Sequence, residues 1–376
     1  MSESRETGWL GALGHPLALS PFRHWLGLLR SGGGVDPKYY GRAAFITAVS
    51  AIATTGRIRE RYLVSRRLRD LHFREDPLFI VGHWRCGTTF LHNLFCQDRQ
   101  FSYVTTLQSQ APKAFFANYW LLRRIMPAFM PNIRPMDNMP VDVDSPQEEE
   151  FCLSNACPHS FYLWLYFPRA MEDRFEKYVL FEGVSDEERA EWSREYIEML
   201  KKASAHMEGK PLVLKNPCNT ARIDQLRRLF PHAKFIHIYR NPYIVYRSTV
   251  RLWQKLQPLL ALQHLDPETL DSLVLTRYRL MMERYFQQRE LIPDESIAEV
   301  RYEDLVSQPL SELHRLYEHL HLDGWENAKP DIERYVNSLA GYRASQYRFT
   351  QDEIEKVERY CGLAIERFEY ERPQTV

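Results

Sequence analysis

Long apolar runs are missing from this chain. Its most apolar stretch, Ala43 to Thr55, has 13 residues, against the roughly 20 that a bilayer core demands of a helix. A membrane-spanning helix is therefore not expected. Excess charge of one sign is missing too: 49 Lys and Arg balance 49 Asp and Glu in 376 residues. That balance argues against a generally basic nucleic-acid binder and leaves room only for a local basic cleft. Cysteine is scarce. The six, at positions 86, 96, 152, 157, 218 and 361, contain no C-x-x-C pair, which excludes a disulfide scaffold and speaks against a zinc site. The acidic start lacks a basic region followed by a compact apolar one, so no secretory leader is expected. Internal repeats and low-complexity tracts are absent as well. What is present is 44% hydrophobic and 13% aromatic, a globular composition. The expectation is a reduced, cytoplasmic α/β protein.

Residues 1–75 differ from the rest and read as an N-terminal helical extension. Arg57, Arg59, Arg61, Arg66, Arg67 and Arg69 alternate with Ile58, Leu63, Val64 and Leu68, an amphipathic helical pattern. One reading is a helix packed on the protein with a solvated basic face; the other is peripheral contact with anionic lipid. The main domain is expected over residues 76–376. Pro77 to Val81 is a short apolar run without helical period, as a buried parallel strand requires. Similar runs at Pro211–Leu214, Lys234–Tyr239 and Ile297–Tyr302 are each followed by a helical pattern. Strands alternating with helices predict a parallel sheet covered by helices. Residues 101–208 form an inserted, aromatic-rich region suited to the acceptor side, with a long surface helix at Glu187–Met207.

The turn Gly82-His83-Trp84-Arg85-Cys86-Gly87-Thr88-Thr89 joins the first strand to a helix. Backbone N–H groups and the helix dipole meet there, which suits an anion. Gly87 allows close backbone approach; Thr88 and Thr89 add hydroxyls, and Arg85 adds a fixed charge. A Mg-ATP loop would carry Lys directly before the hydroxyl residue, with an Asp for the metal elsewhere. Here the basic residue precedes the glycine. The loop is built for phosphate but departs from that pattern.

Arg85-Cys86-Gly87-Thr88-Thr89 resembles the 5′-phosphosulfate loop of sulfotransferases. The stretch Phe235 to Ser248, a strand followed by Arg240 and then Ser248, resembles the family's 3′-phosphate signature. Leu214-Lys215-Asn216-Pro217 looks like a third element, found in tyrosylprotein and many bacterial members. The resemblance covers residues 77–370 and is closest to the bacterial-type families. It implies a P-loop-like sulfotransferase fold and transfer of a sulfuryl group from 3′-phosphoadenosine 5′-phosphosulfate (PAPS) to a hydroxyl or amine, without a metal. It further implies that Arg85, Cys86, Gly87, Thr88 and Thr89 hold the 5′-phosphosulfate, and that Arg240 and Ser248 hold the 3′-phosphate, with Arg247 a weaker candidate. Arg85 and Lys215 are then the groups that stabilise charge on the bridging oxygen. Arg343 and Arg348, before the helix Gln351–Cys361, stand where family members close over the adenine end.

A general base is needed for the acceptor hydroxyl. The histidine of the cytosolic enzymes falls on Pro217 here, and the stretch Tyr103–Leu107 lacks the acid of the tyrosylprotein enzymes. The acidic run Asp142–Phe151 remains. Pro146 and the following acids also read as an ordinary helix start. Glu150, beside Phe151 and Leu153, is the expected base, with Glu149 next and a histidine third; His83, His92, His159 and His237 read as structural. The acceptor class suggested by the aromatics Phe115, Phe116, Tyr119, Trp120, Phe161, Tyr162, Trp164 and Tyr166 is a lipid, sterol, aryl or glycan, though the same residues suit a core. The competing readings are a P-loop kinase-like phosphotransferase and a nucleotide-binding protein without turnover.

Overall fold

The computed structural model describes residues 15–69, 71–130, 133, 140–339 and 347–375. The apolar runs become four strands: β1 Leu78–Val81, β2 Val213–Lys215, β3 Lys234–Tyr239 and β4 Ile297–Arg301. They pair in parallel in the order β2-β1-β3-β4. β1 is buried along its whole length, as a strand covered on both faces must be. Phe79 stacks on Phe235 with ring centroids 5.4 Å apart, which joins β1 to β3 through side chains as well as backbone. This is the expected fold class, a parallel sheet flanked by helices.

The strand order carries a functional consequence. After β1 the chain passes to β2 on one side, then returns across β1 to β3 on the other. Such a reversal opens a crevice beyond the carboxyl ends of the strands, where ligands of open α/β sheets bind. The residues placed there are the loop 82–89 after β1, Lys215 at the end of β2, Arg240 after β3 and Tyr302 after β4.

The chain divides into two compact units. One comprises Glu75–Ser102, Lys210–Trp253 and Pro267–Val376 and contains the sheet. The other comprises Met1–Arg74, Tyr103–Gly209 and Gln254–Asp266, so the N-terminal segment and the stretch inserted between β1 and β2 belong together. This second unit is helical among its described residues. Its helices include Tyr40–Ile52, Thr54–Arg69, Phe115–Ile125, Glu149–Ala156 and Asp186–His206. The last starts at a capping box, with Ser185 Oγ and Glu188 each accepting the other's backbone N–H, which satisfies two donors that the helix itself cannot.

Two readings need adjustment. The acidic helix starts at Glu149, not Pro146, because Pro146 is held in an antiparallel bridge with Thr105. The aromatic residues of the insertion are mostly core: Phe115, Phe161, Tyr162, Trp164 and Tyr166 are buried, and only Trp120 stands out, 67% exposed.

Candidate functional site

The loop after β1 is shaped by two glycines and one strained arginine. Gly82 has φ 145°, and a Cβ there would lie 2.3 Å from the Ile238 carbonyl oxygen. Its N–H donates to Thr220 Oγ1 at 2.7 Å. Arg85 is held at φ 71°, a left-handed conformation that costs a side-chain-bearing residue of order 1–2 kcal/mol and clusters at functional sites. Gly87, at φ 98°, is the N-cap of the helix Thr88–Phe95, and a Cβ on it would run into the Tyr302 ring.

The N–H groups of the first helical turn have no partners within the helix. No acidic residue and no side-chain cap competes for them at the start of Thr88–Phe95. The loop therefore presents backbone donors and the positive end of a helix dipole at one place. The Cys86 N–H is an exception, since it closes the turn onto His83 O at 3.2 Å. The Cys86 thiol is buried and its pKa is pushed up to about 12 by desolvation, which leaves it neutral and unreactive.

Cations gather around this turn. Arg85 Nε donates to Ser248 Oγ at 2.9 Å, across 163 residues of sequence. Arg240 Nη1 donates to the Arg85 carbonyl at 3.2 Å, and its guanidinium lies 4.1 Å from the centre of the Tyr302 ring. Lys215 is 1% exposed, and its Nζ donates to Thr89 Oγ1 at 3.3 Å. Register explains its place, because Lys215 is the β2 partner of Ile80 two residues before the loop. The structure thus brings Arg85, Thr89, Lys215, Arg240 and Ser248 into one connected set, with Gly87 and the buried Thr88 between them.

Arg240 Nε is buried without a hydrogen-bond partner. A buried donor left unpaired costs about 1–3 kcal/mol, and an anion oxygen at the crevice would satisfy it. A cavity of about 430 Å³ lined by Asn241, Arg301, Tyr370 and Arg372 opens beside the ends of β3 and β4.

Other expected residues fall elsewhere. Arg247 is paired with Glu353 at 2.5 Å. Arg348 is exposed and Arg343 lies outside the described residues. The histidines are structural in their contacts. His83 Nδ1 is 3.0 Å from Trp84 O and its ring packs on Tyr278; burial takes its pKa down to about 4. His92 lies 3.2 Å from Val213 O, and burial together with Lys215 takes it to about 3.

The acids form a separate cluster in the helical unit, where Glu148, Glu149 and Glu150 are all buried. Glu148 accepts a short hydrogen bond from the Tyr162 hydroxyl. Glu149 Oε1 accepts from Tyr196 OH at 2.9 Å, and burial raises its pKa to about 7. Glu150 Oε1 accepts from Ser160 Oγ at 2.8 Å and from the Phe161 N–H at 2.9 Å. Glu150 thus ties its helix to the 3₁₀ turn Phe161–Leu165.

Sequence reasoning missed Tyr302, which both supports Arg240 and sets the space at Gly87. Its only signal was its position directly after β4, at the carboxyl edge of the sheet. It also missed Thr220, whose hydroxyl fixes the start of the loop.

The model of the sulfotransferase family matches residues 77–327. Over 352 residues the chain is 32% identical to the omega-hydroxy-beta-dihydromenaquinone-9 sulfotransferase Stf3 of Mycobacterium bovis, covering 93% of this chain and 90% of that one. The Mycobacterium tuberculosis protein of the same name matches equally, at 32% identity and the same coverage. The fold is similar to that of sulfotransferase STF9 from Mycobacterium avium, with a TM-score of 0.71 at 20% identity over 94% of this chain and 93% of the other. Sulfotransferase STF1 from Mycobacterium tuberculosis gives a TM-score of 0.60 at 18% identity over 93% and 94%. The chain belongs to the sulfotransferase family and is an enzyme of sulfuryl transfer.

Proposed function

We propose that the protein transfers the sulfuryl group of PAPS to the hydroxyl of a lipid acceptor. The observation that carries the donor assignment is the joined set of Arg85, Lys215, Arg240 and Ser248 around a helix N-terminus, with Arg240 Nε buried and unpaired. Such a set fits a ligand bearing phosphate at two ends. Arg240 and Ser248 hold the 3′-phosphate, the planar guanidinium being suited to paired phosphate oxygens. Gly87, Thr88, Thr89 and Arg85 hold the 5′ end. PAPS supplies the activated sulfuryl group. Lys215 and Arg85 stabilise the negative charge that grows on the bridging oxygen as the sulfuryl group departs.

The acceptor class rests on the relative Stf3, whose name gives a hydroxylated menaquinone as its substrate. A lipid agrees with the N-terminal region's sequence pattern for peripheral membrane contact.

The proton acceptor is assigned to the acidic helix start. Glu150 was the sequence choice, but its Oε1 is committed to Ser160 and Phe161. Glu149, with a pKa near 7, matches the protonation a base needs at neutral pH. We propose Glu149 as the base, with Glu150, the sequence choice, as the alternative.

The test is turnover. Purified protein is incubated with PAPS and a panel of ω-hydroxylated polyprenyl quinones, sterols, phenols and sugars, and release of adenosine 3′,5′-bisphosphate is followed. Release only with the lipid alcohols supports the reading. Release with sugars or phenols alone overturns the acceptor class, and release with none at any concentration overturns the reaction.

A further inference from the structure

β3 and β4 lie side by side, and their register pairs Tyr239 with Arg301. The chain therefore leaves the sheet as two neighbouring turns, Arg240-Asn241 after β3 and Tyr302-Glu303 after β4. Glu303 joins the two. Its Oε1 accepts the Asn241 N–H at 3.4 Å and its Oε2 accepts the Tyr370 hydroxyl at 2.8 Å, with Arg301 Nε 3.5 Å from the same oxygen. Asn241, Arg301 and Tyr370 all line the cavity of about 430 Å³ at this edge of the sheet.

Asn241 links Glu303 to the cations of the crevice. The N–H that Glu303 accepts belongs to the planar peptide unit between Arg240 and Asn241, so fixing it fixes the backbone that leaves Arg240. Asn241 Oδ1 accepts the Tyr243 N–H at 3.0 Å, and Asn241 O accepts the Val245 N–H at 3.0 Å. These bonds close the first turn of the helix that starts at Pro242 and carries Ser248. One residue thus connects both side chains proposed for the 3′-phosphate.

The other side of Glu303 is built with equal care for direction. Tyr370 follows the helix Gln351–Arg367 and is 6% exposed. Glu369 before it stands at φ 55°, a left-handed conformation that a residue with a Cβ holds only under constraint. The Arg301 guanidinium lies 4.6 Å from the centre of the Tyr370 ring. Burial and the Glu303 carboxylate raise the pKa of Tyr370, so its hydroxyl remains a donor. An acid in a first helical turn is by itself an ordinary complement to the helix dipole. A carboxylate beside a site for a polyanion is not, because it repels the ligand.

We infer that Glu303, oriented by Tyr370 and Arg301, is a positioning residue: it holds the peptide between Arg240 and Asn241 so that Arg240 meets the 3′-phosphate of the donor. This rests on the donor reading given above and deepens it.

The experiment is calorimetric titration of the full chain with adenosine 3′,5′-bisphosphate, well below the melting temperature of each variant. Affinity falls with the fraction of molecules that hold Arg240 in place. Tyr370→Phe changes no charge and keeps the ring; it loses about threefold in affinity. Glu303→Ala loses about tenfold, against the tightening that removal of a repelling charge alone would give. Glu303→Gln, which keeps an acceptor for the Asn241 N–H, recovers most of that loss. In an Arg240→Ala background, Glu303→Ala costs less than it does in the wild type, as a residue acting through another must. If Glu303→Ala does not fold, Tyr370→Phe carries the test. Wild-type affinity in Tyr370→Phe even where its melting temperature falls, tighter binding by Glu303→Ala, or a loss that adds in full to that of Arg240→Ala would each overturn the inference. A wild-type protein that binds no bisphosphate, or whose affinity Arg240→Ala leaves unchanged, would instead remove the donor reading, and the inference with it.

Discussion

Arg240 bears the clearest single-residue test. Its Nε is buried and unpaired while Nη1 bonds the Arg85 carbonyl, which suits the anion-binding role proposed for it. Arg240→Ala should weaken adenosine 3′,5′-bisphosphate binding by about 1.5–3 kcal/mol, the worth of a charge-assisted contact, with little change in melting temperature; calorimetry reads both. The role proposed for Lys215 differs in kind, because the charge it would meet develops mainly in the transition state. Lys215→Ala should lower kcat much more than it weakens bisphosphate binding, and full turnover at saturating PAPS would remove that role. Glu149 makes a prediction in pH. Its folded pKa, about 7, is raised from 4.5 by burial, so the folded state holds a proton that the unfolded state has released. The stability this contributes is present below about 4.5 and is lost as pH rises to about 7, at no more than about 1.4 kcal/mol per pH unit. Glu149→Gln should flatten that slope in urea unfolding and lower turnover by about 10²–10⁴. Glu150→Gln should instead cost stability and spare most of the rate. The sequence singled out Arg85, Lys215, Arg240 and Ser248 by their places at or after strands, and the structure brings them together. The sequence hid Tyr302, since one tyrosine after a strand carries no pattern until its ring is seen against Arg240 and Gly87.

At the scale of elements, the strands were legible because burial on both faces leaves apolar runs with little else. Boundaries were less so. The acidic helix begins at Glu149 because Pro146 is engaged by Thr105, a tertiary contact that no local signal announces. The turn after β1 carries the sharpest element-level prediction. Gly82→Ala places a Cβ 2.3 Å from the Ile238 carbonyl at a left-handed φ, and neither backbone can yield without moving β1 from β3. A loss of about 2–4 kcal/mol in denaturant unfolding is expected from the sum of strain and overpacking; an unchanged midpoint would contradict the described loop. A second prediction concerns the helix Thr54–Arg69, which is bound to Asp186–His206 by the pair Lys202–Glu60, both almost fully buried at 4% and 3% side-chain exposure. Lys202→Met leaves a buried carboxylate without that partner and should destabilise by about 3–5 kcal/mol, measured in urea.

At the scale of the whole molecule, the parallel sheet was readable, while the three-segment make-up of the helical unit had no local signal. Three segments widely separated in sequence build the helical unit. They are held by contacts such as Glu60 with Lys202, which sequence separation conceals. Charge is distributed in the same hidden way: a neutral chain keeps Arg85, Lys215 and Arg240 together at the carboxyl edge of the sheet. The gathered cations make donor binding the central test. Isothermal titration calorimetry of the wild-type protein with adenosine 3′,5′-bisphosphate, and separately with ATP in magnesium, addresses it directly. Binding of the bisphosphate without metal, weakened by about tenfold or more in Arg240→Ala, with no comparable heat from Mg-ATP, is the predicted result. Tighter binding of Mg-ATP, or a bisphosphate affinity that Arg240→Ala leaves unchanged, would contradict it.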